Sequence, residues 1–313
     1  MTGPLPHPER TALLEGRGAT LHWDVLTGGP PATEVHDDRR AADWLWEIDG
    51  DSGARTLAYL GWARAWWPAS TVAGVPALDP ALLAAELAVA TAAVEHLLDD
   101  EHAVERALAA AVGAVHPLAA LAADPELGSA AAELAAQLAE LADDHGITLP
   151  DPVPASPSRS GFALAAGGMA EGDVVVLRGS SAVDWALVPQ GTVDAAADAT
   201  WTVVRRGGES VLEVSVPMAP AATGIPLAAR FGPVELSLGE RADGAVTGHA
   251  PVPASVLLLP AAQRVLTVYA PGFATPEAPA DPDAAARRAA LVAMARDRLT
   301  APDATLTERA AAR

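Results

Sequence analysis

The run EHLLDDEH, Glu95 to His102, holds residue types that bind metal ions. His96 stands three residues before Asp99 and four before Asp100, and Asp99 stands three before His102. Such steps put imidazoles and carboxylates on one helical face, as in the metal centres of helical bundles. A bundle centre also needs carboxylates from other helices. Glu133 and Glu140 are available but have no histidine at the required step. The same run has the make-up of a solvated junction between two helices, which is the simpler reading. His96, Asp99 and His102 are the residues that decide between the two.

A second constellation is aromatic. Aromatic residues are 4% of the chain, yet five of the eight tryptophans fall between Trp44 and Trp67. Trp44, Trp46, Trp62, Trp66 and Trp67, with Arg64 as a polar clamp, would make a stacking platform for a sugar or a peptide. The alternative is core. Trp44 and Trp46 alternate like the inward face of a small sheet, and Trp62 and Trp66, four apart, would share a helical face. A core made mainly of Ala, Val and Leu needs a few large side chains to fill it. Core packing is therefore the favoured reading of the cluster.

Other chemistries find less support. Ser180 or Ser181, Asp184 and His249 supply the types of a hydrolytic triad, but RGSSAVDW has no second glycine and no helix follows it. AAGGMAEGD is glycine-rich but lacks the Lys-Ser/Thr of a phosphate loop, and the chain has no lysine. DGDSG lacks the ligand spacing of a calcium loop and reads as a turn. Forty acidic residues make some close carboxylate pair inevitable and therefore uninformative. With no cysteine, thiolate metal sites, disulfides and cysteine nucleophiles are excluded.

The elements that must position these residues differ between the two halves. Residues 1–150 carry 23 acids against 7 arginines, and residues 151–313 carry 17 against 13. Such asymmetry marks a boundary. ATLHWDVL alternates like a strand, as does DWLWEID; ARTLAYLGWARAWW is a second strand or a short helix. Asp79-Pro80 reads as a helix N-cap followed by the first helical position. Leu83, Leu87, Ala90, Val94 and Leu97 then recur on one helical face, continued by Val104 and Leu108. A further helix runs from near Asp124 to Gly146. After the Pro/Ser-rich stretch Leu149 to Gly161, eight short apolar runs follow at about ten-residue spacing, with Gly, Pro and Asp turns between them. DPDAAARRAALVAMARDRL is a short amphipathic helix, and the residues after it are expected to fray.

The expected fold class is segregated α+β. A mainly helical acidic domain with a few Trp-rich strands covers 1–148, and a linker covers 149–161. An antiparallel β-sandwich follows over 162–275, then a linker and a C-terminal helix over 276–313. A net charge of −20 with no basic stripe disfavours nucleic acid and anionic membranes. The uncharged run Ala107 to Ala123 is short and broken by His116-Pro117, and reads as buried helices. The N-terminus has no cationic segment leading into an apolar run, which with the lack of cysteine suits a cytoplasmic location. No cofactor is expected. The leading functional expectation is a non-catalytic interaction or adaptor protein whose acidic bundle meets a partner with a basic surface. A hydrolase with a carboxylate or metal site at the domain junction is the second, and a carbohydrate- or peptide-binding module using the Trp44–Trp67 cluster is the third.

Overall fold

Alternating apolar residues fold the start of the chain into a three-stranded antiparallel sheet, β1 (Thr11–Gly16), β2 (Ala19–Asp24) and β3 (Ala32–Val35), in that order. Leu14 pairs with Leu21, and both are buried, as is Trp23. The structure is a computed structural model describing residues 7–48, 53–151, 174–222, 224–275 and 281–313. The linker read over Leu149–Gly161 lies largely outside the described residues, as does DGDSG apart from Gly53, and AAGGMAEGD lies wholly outside them. The described residues pack as two compact units. The first takes those up to Trp67, from Leu78 to 151, and from Asp297 onward. The second takes Pro68–Ala77 and those from 174 to Arg296.

In the first unit Asp37 accepts from the backbone N–H groups of Arg39 and Arg40 and so caps α1 (Asp38–Ala42). That cap sets helical geometry just before DWLWEID, which is a 3-10 turn over Leu45–Ile48 and not the strand its alternation predicts. Three alternating apolar residues are too few to outweigh the capped turn preceding them. α2 (Gly53–Trp66) resolves ARTLAYLGWARAWW as a helix, ending just ahead of Pro68 as the restriction on residues before proline requires. α3 (Pro80–Ala93) starts as expected: Asp79 accepts from Ala81 and Leu82 at 2.8 and 3.0 Å, with Pro80 opening the helix. Leu83, Leu87, Ala90, Val94 and Leu97 are all buried, although the last two lie beyond the helix in a tighter turn. α4 (Ala103–Ala111), a 3-10 turn and α5 (Val115–Leu121) follow. By length and composition Ala103–Leu121 would suffice to cross a membrane. Here Val104, Leu108, Ala111, Ala114 and Leu118 form a face in the bundle core, with Leu134 and Leu138 of α6 (Gly128–Asp144).

The second unit is β-rich. β4 (Val174–Ser181), β5 (Ala199–Arg206), β6 (Glu209–Pro217), β7 (Leu227–Phe231), β8 (Val234–Leu238), β9 (Glu240–Ala242), β10 (Ala245–Pro251) and β11 (Leu266–Tyr269) form two antiparallel sheets. One has the order β4-β5-β6-β10-β9, the other β11-β7-β8. Val203, Leu212, Val214, Val216 and Val246 of the first share a core with Phe231, Leu236 and Val268 of the second. The β5–β6 hairpin turns on Gly207 and Gly208, both at positive φ, which their lack of Cβ permits. VDWALVP is an exception to the strand reading and forms a loop. Two helices follow, α7 (Ala254–Leu257) and α8 (Ala284–Arg298), all but the last two residues of α8 grouping with this unit.

The tail is ordered, against the expectation of fraying. α9 (Leu306–Ala311) opens with a capping box: Thr305 Oγ1 accepts from Glu308 N at 3.2 Å, and Glu308 Oε2 accepts from Thr305 N at 2.8 Å. Leu306 joins the bundle core, and Glu86 of α3 accepts from Leu306 N at 2.7 Å and Thr307 N at 3.3 Å. A capped helix end with a buried anchor has lost the freedom that makes termini fray.

Candidate functional site

The helical unit holds a half-open cavity of about 490 Å³, walled by three helices, β1 and one loop. α2 supplies Leu57 and Arg64, seven residues apart on one face. α3 supplies Ala84, Leu87 and Thr91, and α4 supplies Ala103, Arg106, Ala107 and Ala110. Those spacings are the three, four and seven of a single helical stripe. β1 contributes Glu15, and the loop after α3 contributes Leu98, Asp99 and Asp100. That loop is held to the sheet: Arg17 N donates to Leu97 O and Arg17 Nε to Leu98 O, each at 2.8 Å.

Charge on the wall is partly spent within the fold. Asp99 is ion-paired with Arg40 of α1, and Asp100 with Arg106 of α4. Asp100 also accepts from His102 N at 3.0 Å. Arg64 and Glu15 are different. Both are exposed, and neither has a hydrogen-bond or ion-pair partner among the described residues. The cavity therefore combines an apolar floor of leucine and alanine with one uncommitted cation and one uncommitted anion. Its volume falls in the range of small-molecule sites, and five of its thirteen lining residues are charged.

The aromatic cluster does not form a platform. Trp44 is 2% exposed, its Nε1 donates to Arg17 O at 2.7 Å, and its ring lies where a Cβ on Gly16 would stand. Trp62 is likewise buried, donates to Glu9 O at 2.8 Å and stacks on Tyr59 with ring centroids 5.7 Å apart. Trp67 is buried and Trp66 half-buried. Trp46 is the exposed member, at 71%. Arg64 lines the cavity beside Leu57 and Leu87, and no tryptophan shares that wall.

The three candidate metal ligands face different partners. His96 Nε2 lies 3.0 Å from Glu47, Asp99 pairs with Arg40, and His102 Nδ1 lies 3.8 Å from Glu105. Among the described residues no three His, Cys, Asp or Glu side chains gather as a metal site. The hydrolytic triad is not assembled either. Ser180 lies on β4, three strands from β10 and its His249, which is about 14 Å at the usual strand spacing. A shallow trough of about 380 Å³ crosses β5, β6 and β10, where Thr200, Thr202, Ser215 and Thr247 surround Glu213 and His249. Glu213 is paired there with Arg206 at 3.1 Å.

Comparison with protein-family models, with curated proteins and with solved structures gives no match to this chain.

Arg64 and Asp99 belong to two separate constellations in the sequence, and the fold sets both on one wall. Glu15, Leu57 and Arg106 line it as well and carry no motif, and Leu87 is legible only as one position of a helical apolar face. The available signal is the repeated small residue: Ala84, Ala103, Ala107 and Ala110 line the cavity, and Gly61 falls between Leu57 and Arg64 in sequence.

Proposed function

We propose that the protein is a non-catalytic binding protein and that the cavity walled by α2, α3 and α4 receives its ligand. The observation that carries this reading is the lining itself, an apolar floor bordered by the uncommitted charges of Arg64 and Glu15. The other two carboxylates on the wall, Asp99 and Asp100, are each neutralised by a guanidinium. Held in that way they fix the loop and are poorly placed to serve as nucleophile or base. Orientation by a few polar groups over apolar surface is the working principle of such pockets.

The test is titration of the isotope-labelled protein with two neutral apolar probes, benzyl alcohol and indole. Saturable amide shifts confined to Leu57, Ala84, Leu87 and Ala107 are expected, and a Gly61→Leu variant should lose them. Shifts absent at 10 mM probe, or unchanged in the variant, would overturn the reading.

A further inference from the structure

Gly61 occupies the middle of α2, where glycine is the poorest helix former but proline. Neither backbone nor packing asks for it. It is not among the residues at positive φ, and a Cβ built there meets nothing within 4 Å. It stands four residues after Leu57 and three before Arg64, two residues that line the cavity, and helical spacing puts it on their face. The missing side chain adds no bulk to the face that carries Leu57 and Arg64, and Leu57, Leu87 and Ala107 supply apolar surface to the same cavity.

The charges bordering that cavity set what could enter. Arg64 is a fork of donors with no acceptor, suited to a carboxylate. Glu15 is an acceptor with no donor, suited to an ammonium. Asp99 and Asp100 do not compete for the ammonium, because Arg40 and Arg106 hold them. The field of the whole unit narrows the choice further. With 23 acids against 7 arginines over residues 1–150, a net anion is repelled on approach, whereas a zwitterion is not.

Resting on the reading that this cavity is a binding site, we propose that it takes a free α-amino acid with an apolar side chain. Arg64 receives the carboxylate, Glu15 the ammonium, and the apolar lining of Leu57, Leu87 and Ala107 the side chain. Arg64 and Glu15 are the specificity-determining residues.

Calorimetric titration of the full chain with leucine, N-acetyl-leucine and leucinamide tests the assignment. Leucine should bind at least about tenfold more tightly than either analogue, each of which lacks one of the two charges. Arg64→Gln should erase the preference over leucinamide while keeping that over N-acetyl-leucine, and Glu15→Gln should do the reverse. Gly61→Leu should abolish binding while raising the melting temperature, since leucine is the better helix former, so the loss cannot be charged to unfolding. Gly61→Ala should raise the melting temperature and retain binding. Equal affinity for all three compounds, or no leucine binding while benzyl alcohol still binds and Gly61→Leu blocks it, would overturn the zwitterion and leave the cavity as a site. Failure of leucine and of both neutral probes would overturn the two readings together.

Discussion

Glu308 is 1% exposed in the helical unit and shows how a carboxylate is kept there. Arg298 binds it through two nitrogens, at 2.7 and 3.1 Å, Thr305 N donates to it, and Tyr59 donates its hydroxyl. Burial, and then the charge of Glu308, push the Tyr59 hydroxyl far above its ordinary pKa, so it remains a donor throughout the working range. Removing a partner from such a set leaves buried charge without compensation. Glu308→Ala is therefore expected to cost about 2–3 kcal/mol in denaturant unfolding, and Tyr59→Phe about 1 kcal/mol. The reverse order of the two would refute the assignment of Glu308 as the hub. None of this is legible in the sequence. Tyr59 and Glu308 lie 249 positions apart, and only the S/T-x-x-E spacing of Thr305 and Glu308 hints that the tail has a helix start. The tryptophans were more legible: in a small-residue chain their bulk marks core, and Trp44 and Trp62 are core. Trp46 escapes the rule because a 3-10 turn, with near three-residue repeat, points alternate residues in unrelated directions.

At the level of elements, α9 is held by its caps more than by its length of six residues. Glu86 supplies part of that hold by accepting from the first N–H groups of the helix. Burial raises the pKa of Glu86 despite those donors. A carboxyl with a folded pKa above its unfolded value binds more protons in the native state, so its contribution to stability is full below the unfolded value, near 4.3, and is lost as pH rises through the folded one. Glu86→Gln has no such titration. The stability of wild type relative to Glu86→Gln should then fall as pH rises above about 4, as read from urea midpoints at each pH. A difference that stays constant, or grows, as pH rises would contradict it. Asp24, lowered mainly by its hydrogen bond from Arg10, and Asp303, lowered by Arg298, act with the opposite sign in both proteins and cancel in the comparison. Helices were the elements most open to reading, because Asp79-Pro80 and the leucine spacing of α3 are local signals that tertiary structure had no reason to override. The Pro68–Ala77 segment carries no such signal. It packs with the β unit through Ser70 Oγ and Thr71 N, which donate to the buried Asp194 at 2.6 and 2.8 Å, a link spanning more than 120 positions.

For the molecule as a whole, an excess of twenty acids over arginines sets the response to salt. Two effects compete. Screening weakens surface ion pairs such as Arg40–Asp99 and Arg313–Asp124, which individually contribute little. Screening also relieves the mutual repulsion of the unpaired carboxylates, which favours the expanded chain over the folded one. The pairs are local, whereas the repulsion acts between all charges within a Debye length, about 30 Å at 0.01 M and about 8 Å at 0.15 M ionic strength. Over that range most of the repulsion is lost, while contacts at hydrogen-bond distance are only weakened. The melting midpoint, followed by circular dichroism, should therefore rise between about 10 and 150 mM sodium chloride, and Arg313→Gln should rise more steeply from a lower start, because it loses pairs that screening weakens and adds one unit of net negative charge. A midpoint that falls with salt would mean that the ion pairs outweigh the net charge. The ligand proposed for the cavity carries no net charge, so its entry would depend on Arg64 and Glu15 at close range, and the affinity for leucine should be nearly flat over the salt range in which the midpoint climbs.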